Sequence, residues 1–302
     1  MGKLKYFLLI LILLLFGGCG QNNPLGGGDD PGDEDALHFG EEHTLEIATW
    51  NIENFPKKGN TTIEKVRYII EESDIDMIAV QEIADTHSFR ELVAQLPEYN
   101  GLYSQDYYDQ GVYQKTGLIY KKTMITIKSQ SQLFTDNDWA FPRPPLLLEV
   151  KAEKGDSLFD FNLINIHLKA FGGDDNLEKR RAAAESLKTY MDECIATETE
   201  KDYIVVGDWN DEIDDPPEEN AFTVFLDDST GYKFLTEELA GNYYYASYPS
   251  YGSLIDHILI SADCMEEYEG GTTTTLRLDD YIIDYFDTVS DHRPVMATFP
   301  VF

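Results

Sequence analysis

Six short segments carry the residues whose types and spacing could do chemistry. Asn51 and Glu53 close the run LEIATWNIEN, Glu82 follows MIAVQ, and His167 ends LINIH. Asp208 and Asn210 follow IVVG, Asp256 sits in SLIDHILIS, and Asp291 and His292 lie in VSDHRPV. A polar residue at the end of a buried strand is where α/β architectures collect reactive groups. Asn51 and Glu53 are two apart, as are Asp208 and Asn210, so each pair shares a face if its strand continues. Oxygen donors dominate, with histidines and no thiols, a set that suits Mg²⁺, Ca²⁺ or Mn²⁺ better than zinc. A histidine beside a carboxylate can take a proton from water near neutral pH, and a nearby cation offsets charge on phosphate oxygens. The inventory is that of metal-assisted phosphoester hydrolysis. His87 and His257 have no partner segment and read as structural.

The elements that must position these residues alternate without an internal repeat. Apolar or β-branched runs at 45–50, 77–81, 117–120, 124–127, 146–150, 159–167, 203–207, 254–261 and 294–299 read as strands. Helical spacing runs through Ile63, Val66, Ile69 and Ile70 behind the caps Thr61 and Thr62, through Phe89–Leu96, and over Asn176–Ile195. Nine strands exceed one small sheet, and strands and helices are interleaved but not strictly paired. That predicts an α/β sandwich of two mixed sheets with helices outside.

Composition bounds the rest. With 302 residues, 42% of them hydrophobic, the chain can build a large core. Twenty-three basic against 56 acidic residues give a net charge of −33, which repels nucleic acid and anionic lipid at long range. Three cysteines without a CxxC pair exclude a disulfide scaffold and argue against structural zinc. Lys3 and Lys5, the apolar run 6–16 and Gly17-Gly18-Cys19 follow the order of an export leader. Small residues before a cysteine resemble the bacterial lipoprotein signal, although Phe16 replaces the usual leucine. The expected organisation is a signal peptide at 1–18, an acidic flexible tether with lipidated Cys19 at 19–42, and a catalytic domain at 43–302. Membrane contact is then expected through the Cys19 lipid alone, at the periplasmic or cell-surface side, with plain secretion the other outcome. The leader removes lysines and no acids, so the acidity belongs to the domain and reads as a solvated surface suited to salt water.

Taken in order, WNIEN, QE, IHL, GDWN, IDHILIS and SDHRPV resemble the endonuclease/exonuclease/phosphatase superfamily, which includes deoxyribonuclease I and exonuclease III. The resemblance spans about residues 45–300. It implies a four-layer sandwich, two face-to-face mixed β-sheets flanked by helices, and a divalent cation, Mg²⁺ or else Ca²⁺ or Mn²⁺. It implies Glu82 and Asn51 as metal-site residues, with Asp291 a further acid there. Asp208 and Asn210 match the pair that orients the attacking water. His292, polarised by Asp256, matches the base or transition-state stabiliser, and His167 the second histidine of the deoxyribonuclease branch. Arg143, in FPRPP, resembles that branch's phosphate-contacting arginine. Two positions depart: Gln114 stands where the branch pairs its second histidine with glutamate, and Glu53 where other branches have a ligating aspartate.

These readings predict a monomeric exported phosphodiesterase, foremost an endonuclease on DNA or RNA. The tyrosine-rich loop 242–251 offers rings for bases. Lys121, Lys122, Lys169, Lys179, Arg180 and Arg181 offer the local cations, while DEIDDPPEE after GDWN opposes a polyanion. The alternatives are a phosphatase or phospholipase C-like hydrolase of inositol phosphates or sphingomyelin, and a non-catalytic surface binding module.

Overall fold

The computed structural model describes residues 37–105 and 114–302; the leader, Cys19 and the tether up to residue 36 lie outside the described residues. Among the described residues, two six-stranded sheets form. The first has the order β11 (Thr273–Thr275), β12 (Val295–Phe299), β1 (Leu45–Phe55), β2 (Met77–Ile83), β4 (Lys115–Lys121), β3 (Tyr99–Tyr103). The second runs β5 (Ile125–Gln132), β6 (Leu146–Lys154), β7 (Ser157–His167), β8 (Tyr203–Asp208), β10 (Asp256–Ser261), β9 (Tyr232–Phe234). In each sheet only the central pair is parallel, β1 with β2 and β7 with β8; every other pairing is antiparallel.

Three apolar layers separate four layers of secondary structure. Alternate residues of the strands face opposite ways, so Leu45 and Ile47 meet Leu163, Val206 and Ile258 between the sheets. Trp50, Ile52, Ile78 and Val80 point outward under α1 (Asn60–Ser73) and α2 (Thr86–Ala94), against Val66, Ile70, Phe89 and Leu92. On the far side, Ile164, Ile166 and Val205 pack on Ala183, Leu187 and Met191 of α3 (Asp174–Thr197). This is the expected sandwich. No helix among the described residues is long and apolar enough to cross a membrane.

Two local expectations are corrected. The N-cap of α1 is Gly59, with no side-chain cap bond. Thr62 instead accepts from the Lys58 amide at 2.8 Å and donates to the Thr288 carbonyl at 2.7 Å, tying the helix to the chain just before the Asp291–His292 segment. The tether's last residues are also not free: Leu37 is buried in the outer layer of the first sheet, and the amides of Phe39 and Gly40 donate to the Ser73 carbonyl. Two apolar side chains in an otherwise acidic stretch suffice to dock it. Cys194 and Cys264 are both buried and unbonded.

Candidate active site

The inner faces of both sheets turn polar at one end, and that end is the site. Along β8 the inward row reads Ile204, Val206, Asp208; along β10, Ile260, Ile258, Asp256; along β7, Phe161, Leu163, Asn165, His167; along β1, Leu45, Ile47, Thr49, Asn51. Parallel β1, β2, β7 and β8 finish there, and antiparallel β4, β6, β10 and β12 begin there, so Gln114, Arg143, Asp256 and His292 arrive at the same edge. Asp208 pairs across the ladder with His167 on one side and Asp256 on the other. Directly opposed residues share a face, which places these three side chains in one row.

Glu82 reaches the site by a different device. It follows the inward residue Gln81 and on regular strand geometry would point outward. The ladder slips here against both neighbours, between Asn51 and Phe55 and between Val80 and Ile83, and Glu82 takes a left-handed φ of 64°. Glu53, Asn54 and Asn210 also have positive φ, at 34°, 49° and 56°. Such backbone is costly for residues other than glycine and persists where surrounding bonds hold it.

Those bonds form a closed network. Asn51 Nδ2 donates to Glu82 Oε1 at 3.3 Å and to Asp208 Oδ2 at 3.0 Å, joining the two sheets. Glu82 Oε2 accepts from the Asn54 amide at 2.8 Å and from Gln114 Nε2 at 2.9 Å. His292 Nδ1 lies 2.7 Å from Asp256 Oδ2, while its Nε2 faces Asp208 Oδ2 at 3.9 Å and Asp291 Oδ1 at 4.0 Å. His167 Nε2 approaches Asp208 Oδ2 at 3.5 Å and Glu82 Oε1 at 4.0 Å, and its buried Nδ1 has no hydrogen-bond partner. Two imidazoles therefore converge on one buried carboxylate. Asp208 Oδ1 accepts the Asn210 amide, and Asn210 Nδ2 reaches the Leu168 carbonyl at 3.3 Å.

Burial and crowding set the charges. Asp208 is pushed up to about 7, first by burial and then by the Asp256 charge. Burial also lifts Asp291 to about 6. For His292, burial alone would lower the value, but Asp256, then Asp208 and Asp291, outweigh it and raise the imidazole to about 10. His167 is driven well below its ordinary value, by burial and then by Arg143 and His292. Adjacent groups pushed in opposite directions mark a site built for proton transfer.

All ten residues expected at the site are brought to this end of the sandwich, with three changes of detail. Gln114 does not orient His167; its amide bridges Glu82, Asn54 and Arg143. Glu53 has Oε2 committed to Lys57 Nζ at 2.5 Å and to the Asp291 amide at 2.8 Å, which fixes the loop carrying His292. Arg143 spends its guanidinium on the carbonyls of His167 and Leu168, at 3.5 and 3.3 Å, and on Gln114. Several positioning residues escaped the sequence reading. Ser290 donates to the Asn51 carbonyl and accepts the His292 amide, Tyr285 donates to the His292 carbonyl, and Gln81 binds Asn165 across the sheets at 2.8 Å. Gln81 and Asn165 carried a signal, each being a polar residue inside an apolar run. His257, read as structural, is buried between Thr236 and the Asp211 carbonyl.

Of the six local cations, four are tied up elsewhere. Arg180 pairs with Asp211 at 2.8 Å and holds the carbonyls of Lys169 and Phe171, while Arg181 binds those of Asn220 and Glu218. Lys121 pairs with Asp74 and Asp76, and Lys122 binds the Pro97 carbonyl. Lys169 lies over the Phe171 ring beside Lys179 and Arg143.

Comparison with known proteins agrees with the fold. Solved structures that share the fold include human Nocturnin's catalytic domain with bound sulfate (TM-score 0.61, 17% identity, 86% of this chain and 95% of that one), the mannosyl-6-phosphatase of Bacteroides thetaiotaomicron (0.60, 18%, 84% and 98%), and D. rerio TDP2 complexed with a single-strand DNA product (0.58, 15%, 85% and 99%). No curated protein matches. The sequence profile of the Endonuclease/Exonuclease/phosphatase family matches residues 48–292, from the middle of β1 to His292, so the chain belongs to that family of phosphoester hydrolases.

Proposed function

We propose that the chain is a divalent-cation-dependent phosphodiesterase that cuts nucleic acid, exported and tethered through lipidated Cys19. The observation that carries the reaction class is the convergence of His167, His292 and Asn51 on Asp208 from two sheets. Glu82, Asn51 and Asp291 would hold the cation. They fit a hard ion, being oxygen donors in a cluster where burial and then neighbouring carboxylates already raise the carboxyls of Asp208 and Asp291. When bound, such an ion neutralises charge on the phosphoryl oxygens.

The chain's own groups divide the remaining work. Asp208, near 7, takes the proton of a water held between it and His292 Nε2. His292 stays an imidazolium, fixed by Asp256, and stabilises the pentacoordinate phosphorus oxygens. Of the two roles expected for His292, its raised value favours the stabiliser. His167 stays neutral and offers its Nε2 side to the phosphate or leaving oxygen, while Arg143 and Asn210, both bonded to the Leu168 carbonyl, hold the chain after His167 in place.

A second reading, a phosphatase or small phosphodiester hydrolase, is favoured by the cation count: four of the six candidate cations are committed to internal partners. Fold neighbours with sugar-phosphate and DNA in their names do not choose between the readings. Acid-soluble nucleotide release from DNA and RNA, run beside hydrolysis of bis(p-nitrophenyl) phosphate and p-nitrophenyl phosphate with Mg²⁺, does. The proposal expects polynucleotide and diester turnover at least about tenfold above the monoester. Monoester turnover alone would transfer the assignment to a phosphatase.

A further inference from the structure

A stack of aromatic rings leads from the catalytic imidazole to solvent. The Tyr248 ring lies on His292 with centroids 4.8 Å apart, and Tyr251 stacks on Tyr248 at 5.3 Å with planes within 12°. His292 is 6% exposed and Tyr251 79%. The outer face of Tyr251 is therefore open, flat and one ring removed from the His292 imidazole. The turn is fixed: Tyr248 pairs with Ser253 across a short bridge, the Tyr251 amide donates to the Tyr248 carbonyl, and Ser247 accepts the amides of Ile255 and Asp256. Tyr248 and Asp256 thus belong to one rigid loop. The Tyr248 ring holds one face of Tyr251 by stacking and leaves the other free for a second flat ring.

The charge distribution says what kind of partner. A chain of −33 with four of its six local cations internally paired draws little affinity from a polynucleotide's phosphates. Bases present neutral π-faces, and a ring stacked on a base contributes about 1–3 kcal/mol without regard to sequence. In a duplex both faces of each base are already stacked, so only an unpaired base can use the Tyr251 face. Resting on the phosphodiesterase reading, we infer that Tyr248 and Tyr251 form a shelf for an unpaired nucleobase next to the scissile phosphate, so that the enzyme selects single-stranded nucleic acid by its bases.

The test compares a single-stranded oligonucleotide, the same strand with abasic sites flanking the cut, and the annealed duplex, each with Mg²⁺ and with bis(p-nitrophenyl) phosphate as the reference ester. The wild-type protein is expected to show KM at least about fivefold lower for the base-bearing strand than for either other form, at similar kcat. In Tyr251→Ala that KM ratio falls toward one, and in Tyr251→Phe, which keeps the ring, it returns. Because Tyr251 is solvent-exposed, its removal leaves the fold's melting temperature in place, which is measured alongside. Equal KM for the three forms in the wild type, or an unchanged ratio in Tyr251→Ala, overturns the shelf while leaving the phosphodiesterase standing. Turnover of the reference ester with no cleavage of any oligonucleotide overturns the shelf and the nucleic-acid substrate together, and no turnover of any of these esters overturns the phosphodiesterase reading on which the shelf rests.

Discussion

The Asp256–His292–Asp208 row explains how a histidine and a carboxylate exchange their ordinary protonation preferences. His292 is raised to about 10 by three carboxylates, foremost Asp256, while Asp208 is raised to about 7 by burial and then by Asp256. Activity that needs Asp208 ionised and His292 protonated rises with pH through about 7 and falls as pH passes about 10. Asp256→Asn removes the largest charge that raises His292, so its alkaline limb moves to lower pH, and the same lost repulsion moves the acid limb down. A pH profile of kcat/KM on bis(p-nitrophenyl) phosphate reads both limbs. An alkaline limb that stays in place in Asp256→Asn would separate it from His292.

At the scale of elements, the site depends on strands ending in step. Gly207, φ 151°, lets β8 pass β7 so closely that a Cβ would lie 2.1 Å from the Ile166 carbonyl, one residue before Asp208. Gly207→Ala must push the two central strands apart; the expected cost is about 2–4 kcal/mol of stability with at least about tenfold loss of kcat. Wild-type stability and rate in that variant would contradict the close approach. The strands themselves were legible where they are buried on both faces. β3, β9 and β11, which no apolar run announced, are sheet edges; β9 and β11 span three residues each, and half-exposed edges need little apolar patterning. The site was legible as residue types at strand ends. The twist that brings Glu82 inward was not, because a register slip and a left-handed φ leave no periodic trace. Nor was the partner of Gln114, since an amide's direction is set by neighbours from three other strands or loops.

At the scale of the whole molecule, acidity is concentrated inward as well as outward. Glu46 is fully buried, held by Thr44, with its amide on Asp76, and burial and the Asp76 charge lift its carboxyl to about 8 from 4.5. Asp202, at the opposite end of the second sheet from the site, rises to about 7 from 3.8 for the same kind of reason. The folded chain thus holds protons there that the unfolded chain has released. That stability is complete below about pH 4 and is lost as pH rises toward 8. His257, lowered to about 4 from 6.5, acts oppositely and loses stability as pH falls between those values. Melting temperature should therefore be higher at pH 6 than at pH 8.5, with about 2–4 °C for each kcal/mol, and Glu46→Gln should flatten that slope. A slope unaltered in Glu46→Gln would place the proton uptake elsewhere. The central claim is that the cluster around Asp208 hydrolyses phosphodiesters with a cation at Glu82. Its most direct measurement is bis(p-nitrophenyl) phosphate turnover against Mg²⁺ concentration for the wild type, His292→Ala and Glu82→Gln, with folding followed by circular dichroism. The expected result is Mg²⁺-dependent turnover in the wild type, at least about 10²-fold lower kcat in folded His292→Ala, and a Mg²⁺ midpoint shifted upward in Glu82→Gln. Near-wild-type turnover in His292→Ala, or an unmoved midpoint in Glu82→Gln, would contradict it.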